Sequence, residues 1–216
     1  MKTLNVSILG IPIPERMKRL PISSKGFPVP WFVAMVNGNW DFRVIGPGKV
    51  DGAVKRKLCW LCGQPLGQYQ VFVIGPMCTV NRVSAEPPSH LECADYAARA
   101  CPFLTKPAMR RNEKDMPGQA KEPAGTMIKR NPGVAALWVT KSYSPWRVGN
   151  GVPFRIGDPE RVLWFSEGRT ATREEVMASI SSGLPLLEAE AMKEGPEAME
   201  ELAQCFARSQ SLLPSA

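Results

Sequence analysis

Apolar and polar positions alternate most cleanly between residues 31 and 45. Residues 31–36 are an apolar run, Asn37-Gly38 follows, and Trp40, Phe42 and Val44 then recur at every second position. A two-residue type I′ turn needs positive φ at both central residues, which Asn-Gly tolerates. The stretch therefore predicts a β-hairpin with Trp40, Phe42 and Val44 on one buried face. Gly46-Pro47-Gly48 ends it, and residues 49–57 read as a short basic helix or turn. Residues 69–74 and 77–83 read as two more strands, joined by a turn at Gly75-Pro76. The nearly unbroken apolar run at 134–140 predicts a central strand. A turn at Tyr143, Pro145 and Trp146 and short strands at 151–156 and 161–165 follow.

Towards the C-terminus the spacing becomes helical. Thr172 with Glu175 three residues on is a capping box, and it opens a helix with Val176, Met177 and Ile180 inward, ending near Gly183. A second helix is expected from Pro185 to about Glu194. After Gly195-Pro196, Met199, Leu202 and Phe206 line one face of a last helix. The expected fold class is α+β.

With 21 prolines and 18 glycines, the chain favours many turns and short elements over a helical bundle. Its 44% apolar content suffices for a real core. Residues 1–30 carry Pro12, Pro14, Pro21, Pro28 and Pro30 around Arg16-Met17-Lys18-Arg19, and read as an extended arm, ordered only if it packs on something. Three regions are expected: this arm (1–30), an α+β domain centred on a metal (31–150), and short strands with acidic helices (151–216) packed on the same domain.

The metal expectation rests on two residue pairs. Cys59-Trp60-Leu61-Cys62 is followed 27 residues later by His90-Leu91-Glu92-Cys93. Zinc takes four thiolate or imidazole ligands in a tetrahedron, and paired ligands two residues apart suit it. Gly63 allows the left-handed backbone a tight knuckle needs. Pro87-Pro88-Ser89 precedes a helical run in which Ser89 and Glu92 form a second expected capping box, so His90 and Cys93 share a face of the first turn. The site is read as Cys59, Cys62, His90 and Cys93. Cys78 or Cys101 could replace His90, Cys78 the better placed because two helical turns separate Cys101 from Cys93. Cys205 is expected in the core. The order of knuckle, hairpin and ligand-bearing helix over about residues 57–101 resembles the treble-clef zinc fold.

The charge is uneven. The chain carries net +7, but residues 151–216 hold 6 Lys/Arg against 11 Asp/Glu, while residues 1–150 hold 21 against 9. A basic surface attracts nucleic acid and other polyanions. Residues 105–125 concentrate Lys106, Arg110, Arg111, Lys114 and Lys121 among Pro107, Pro117, Gly118, Pro123 and Gly125, so this loop is the expected phosphate contact. No apolar run reaches the roughly 18 residues of a membrane span. The N-terminus is too polar for a signal peptide, and with reduced cysteines this implies the cytoplasm.

The strings Cys59–Gly67, Phe72–Cys78, Pro87–Ala94 and Ala100–Leu104, with Arg169–Val176 and Ser182–Pro185, are similar to an uncharacterised family of bacterial and phage proteins. The resemblance covers most of the chain and implies one unit, with no activity to transfer. Two function classes follow from the residues. One is a zinc-stabilised, non-enzymatic protein contacting nucleic acid or a protein partner. The other is an enzyme, such as a degenerate treble-clef nuclease. A nuclease of that kind needs a histidine base, and the single histidine here is placed as a ligand. A zinc deaminase also wants its cysteine pair after His-x-Glu, whereas here a pair precedes it.

Overall fold

The computed structural model describes residues 3–107, 109–116, 130–149 and 151–215. Its centre is a four-stranded antiparallel sheet formed by β3 (Gln70–Ile74), β5 (Ala135–Thr140), β8 (Pro159–Ser166) and β9 (Arg169–Thr170), in the order β3-β5-β8-β9. All six residues of β5 are buried. Side chains alternate across a strand, so Ala136 and Trp138 enter one core while Leu137 and Val139 enter another on the opposite face. That is why β5 reads as an unbroken apolar run.

Helices cover both faces. On one side lie α2 (Pro76–Asn81), α5 (Arg173–Glu194) and α6 (Pro196–Ser209), packed over Phe72, Ile74, Trp138 and Trp164. On the other lies α3 (Leu91–Ala100), with Ala94 and Ala98 against Val71, Leu137, Val139 and Phe165. A three-stranded sheet of β4 (Val83–Ser84), β7 (Phe154–Ile156) and β6 (Tyr143–Pro145) adds Phe154 and Ile156 to the first core. The expected turn at 143–146 thus begins with a strand.

Residues 77–83 form no strand over most of their length. Gly75-Pro76 opens α2 instead, with Pro76 in the first turn where its missing N–H costs nothing, and Met77 and Val80 buried. Without that hairpin, β3 takes β5 as its partner, from Gln70↔Thr140 to Ile74↔Ala136. The predicted break at Gly183 and Pro185 is also absent: α5 runs continuously through both. Gly183 serves a close approach, because a Cβ there would lie 2.8 Å from the Met77 sulfur. Val176 and Ile180 are buried as expected, but Met177 is 47% exposed. The Thr172–Glu175 capping box is present in full.

The β1 (Val33–Val36) and β2 (Asn39–Ile45) hairpin forms around Asn37 and Gly38, whose φ values are +48° and +76°. Its expected buried face does not form. Ala34 pairs with Asp41 but Val33 with Ile45, so Phe42–Val44 bow out of the ladder and the simple alternation is lost. α1 (Lys49–Arg56) follows.

Residues 3–30, expected as an extended arm, carry two short 3₁₀ turns, Val6–Ile8 and Glu15–Met17. Ile8 and Met17 are buried against Cys59, Cys62, Cys93 and Tyr96. No helix among the described residues is long and apolar enough to cross a membrane.

Candidate metal centre

The first ligand pair sits on a backbone knuckle. Cys59 N–H donates to Gln64 O and Gly63 N–H to Cys59 O, both at 2.8 Å, while Leu58 and Pro65 form an antiparallel bridge. Gly63 has φ +71°, and a Cβ there would lie 2.5 Å from the Trp31 indole. Both the turn and the close approach therefore require glycine. Trp60, between the two cysteines, stacks on Phe32 with ring centroids 4.7 Å apart and meets Trp31 edge-on. The knuckle thereby stands on an aromatic base.

The second pair is delivered by the sheet and a helix. Ser89 exchanges two backbone hydrogen bonds with Val71 at 2.8 and 2.9 Å, which pins the residue before His90 alongside β3. His90 is the N-cap of α3, and Cys93 lies in its first turn. The expected Ser89–Glu92 capping box is absent: Ser89 is committed to Val71, and Glu92 accepts from Arg16 Nε at 2.8 Å. The Trp60 backbone N–H donates to Pro88 O at 3.0 Å and ties the two halves together.

The ligand atoms of Cys59, Cys62, His90 and Cys93 all lie within 4.8 Å of one another, and all four residues are buried. Cys62 Sγ is 3.4 Å and Cys93 Sγ 4.0 Å from His90 Nδ1. A tetrahedron with metal–sulfur bonds of about 2.3 Å has edges of about 3.7 Å, so this arrangement fits a metal ion. His90 Nε2 lies 2.9 Å from the Pro65 carbonyl, an acceptor only. That contact places the ring proton on Nε2 and turns the Nδ1 lone pair towards the three sulfurs. The Cys59 sulfur accepts backbone N–H bonds from Cys62 and His90, each at 3.4 Å, as a thiolate ligand would.

The clustered thiols and imidazole shift one another's protonation. Hydrogen bonds from Cys62, Cys93 and His90 hold the Cys59 thiol far below its usual range. Proximity to that thiolate pushes the Cys93 thiol up. Hydrogen bonding to Cys59 and then Cys62 raises His90 to about 10. Close-packed thiols resist joint ionisation, and a divalent cation reverses that balance.

The spare cysteines stand apart from the set. Cys78 lies on α2, not on the expected strand, and burial pushes its thiol up to about 11. Cys101 caps the C-terminal end of α3, and Cys205 packs half-buried against the larger core. Sequence reasoning missed the brace from the arm. Arg19 Nη2 donates to Cys62 O at 3.2 Å, and Arg16 reaches both Glu92 and Gln64. Only the basic cluster at 16–19 hinted at it.

The predicted phosphate contacts lie on the segment after α4 (Pro102–Thr105). Lys106, Arg110 and Lys114 are exposed and Arg111 is half-buried. Arg43 Nη1 donates to the carbonyls of Asn112 and Lys114, and Arg111 Nη2 donates to Arg43 O, which straps the segment to β2. Lys121, Pro117, Gly118, Pro123 and Gly125 lie outside the described residues. No protein-family model matches this chain, and no curated protein or solved structure matches it either, so its chemistry is read from these side chains themselves.

Proposed function

We propose that this protein is a zinc-stabilised, non-enzymatic binding protein whose partner is nucleic acid, held mainly through phosphate. The observation that carries the reading is the buried, closed set of three cysteines and one histidine. Such a set suits zinc over harder cations, and four protein ligands leave no position for an activated water. Its knuckle and ligand-bearing α3 support a treble-clef-like unit, although β3 pairs with β5 rather than within a local hairpin. His90 is committed through both ring nitrogens, which leaves no imidazole to act as a base.

The nucleic-acid half of the reading rests on charge. Residues 1–150 carry 21 basic against 9 acidic side chains. Metal analysis of the purified protein is expected to give about one zinc per chain. Binding to DNA and RNA, followed by fluorescence anisotropy, should weaken steeply with salt as bound counterions are released. No binding to any DNA or RNA at low salt would sink the partner assignment, and a protein partner would take its place.

A further inference from the structure

We propose that the β1–β2 hairpin is a stacking platform for single-stranded nucleic acid, with Trp40 and Phe42 against the bases and Arg110 and Lys114 along the phosphates. The inference rests on the nucleic-acid reading above and narrows it to one class of strand.

The hairpin exposes apolar side chains that the fold does not use. Met35 is 57% and Phe42 45% exposed, and Trp40 is half-buried. Met35 and Trp40 are cross-strand partners, so their side chains stand on one face of the ribbon. Phe42 follows two residues later, where β2 bows out of its pairing. None of the three joins the core clusters on either side of the main sheet or around the metal ligands.

Charge says what covers this surface. Residues 39–57 hold five Lys/Arg against two Asp/Glu, and residues 106–116 hold four against two. Arg43 joins the two stretches: its Nε and Nη2 bind the Asp41 carboxylate at 2.9 and 2.6 Å, and its Nη1 holds the 112 and 114 carbonyls. Asp41 is thereby neutralised beside Phe42, while Arg110 and Lys114 remain exposed on the strap. Accessible aromatic rings beside cations bind single strands, because unpaired bases offer π-faces that a duplex keeps stacked. A duplex reader would instead present a helix to the major groove. On α3 the outward Glu92 is bound to Arg16, and Asp95 to Arg99 at 2.9 Å, so that helix face is already engaged.

The test uses the full-length zinc-loaded protein and labelled oligonucleotides of about 15 residues, close to the upper site size of compact single-strand binders. Poly-dT and poly-U should bind at least about tenfold more tightly than a duplex of equal length. Trp40→Ala with Phe42→Ala should weaken single-strand binding by about ten- to a hundredfold, leaving zinc content and the salt slope unchanged. Phe42→Tyr should retain binding. Arg110→Ala with Lys114→Ala should instead flatten the salt slope by about 1.4, two phosphates' worth. Arg111 is kept because its guanidinium holds the strap to β2. Duplex preference, or unchanged affinity in the aromatic double variant, would overturn the platform while leaving the nucleic-acid reading intact. No binding to any strand would overturn both. Self-association abolished by the aromatic double variant, with no oligonucleotide bound, would overturn them as well and assign the face to a second copy of the chain.

Discussion

Cys62 Sγ lies 3.4 Å from His90 Nδ1, across 28 residues of sequence. The two are brought together by different devices: a glycine-closed knuckle presents the sulfur, and the Ser89–Val71 bridge sets the start of α3 that presents the ring. With the opposite ring nitrogen held by Pro65 O, His90 completes the ligand set and the other cysteines do not. His90→Ala should therefore lose the metal, while Cys78→Ala and Cys101→Ala keep about one zinc per chain. Elemental analysis of the three purified variants decides this. Retention in His90→Ala with loss in Cys78→Ala would move the site.

Metal removal should unfold the knuckle and the start of α3 together. Structural zinc contributes on the order of 10–16 kcal/mol in small zinc-dependent folds. A chelator should lower the melting temperature markedly, and readded zinc should restore it. Acidification should release the metal too, since protons compete for the same thiolates and imidazole. A melting curve unchanged by chelation would refute the structural role.

Gly63→Ala should destabilise the metal centre. The substitution meets both a left-handed backbone and the Trp31 ring at 2.5 Å. Backbone strain at such positions costs about 1–3 kcal/mol, before any displacement of the ring. Faster zinc transfer to a chromogenic chelator is the expected readout.

The N-terminal arm should behave as part of the core. Ile8 and Met17 are 2% and 3% exposed beside the ligand cysteines. Truncating either to alanine should cost about 2–5 kcal/mol, measured by denaturant unfolding. Arg16→Ala should cost far less, because its pair with Glu92 is half-exposed on both sides. A larger loss from Arg16→Ala than from either truncation would show that the arm is held by charge rather than packing.

Glu175 provides a pH test away from the metal. Its hydrogen bonds from Arg169 and from the Thr172 backbone lower its carboxyl from 4.5 to about 2. A depressed folded value stabilises the protein above the unfolded value, and that stabilisation fades as pH falls from about 4.5 through about 2. Glu175→Gln should thus lower stability at neutral pH and converge with the parent in acid. Thr172→Ala should cost about 1 kcal/mol through the same cap, at neutral pH. Thermal unfolding from pH 7 down to about pH 2 follows both.

The sequence by itself determined what depends on neighbours along the chain. Residue spacing marked the four residues that cluster at the candidate metal centre, Asn37-Gly38 marked a hairpin, Thr172 with Glu175 marked a helix start, and the run to Thr140 marked a strand buried on both faces. Tertiary structure decided the choices in which local signals compete. Residues 77–81 have strand-like composition, yet Pro76 can start a helix and Met77 and Val80 gain more by packing beneath α5. Pro185 sits inside α5 because packing on both sides of it outweighs one missing hydrogen bond. The bulge in β2 left Phe42 exposed, although its alternation with Trp40 and Val44 predicts a buried face. The Pro65 carbonyl on His90 and the Arg19 brace on Cys62 leave no trace in spacing, since backbone acceptors and long-range partners exist only once the chain has closed on itself.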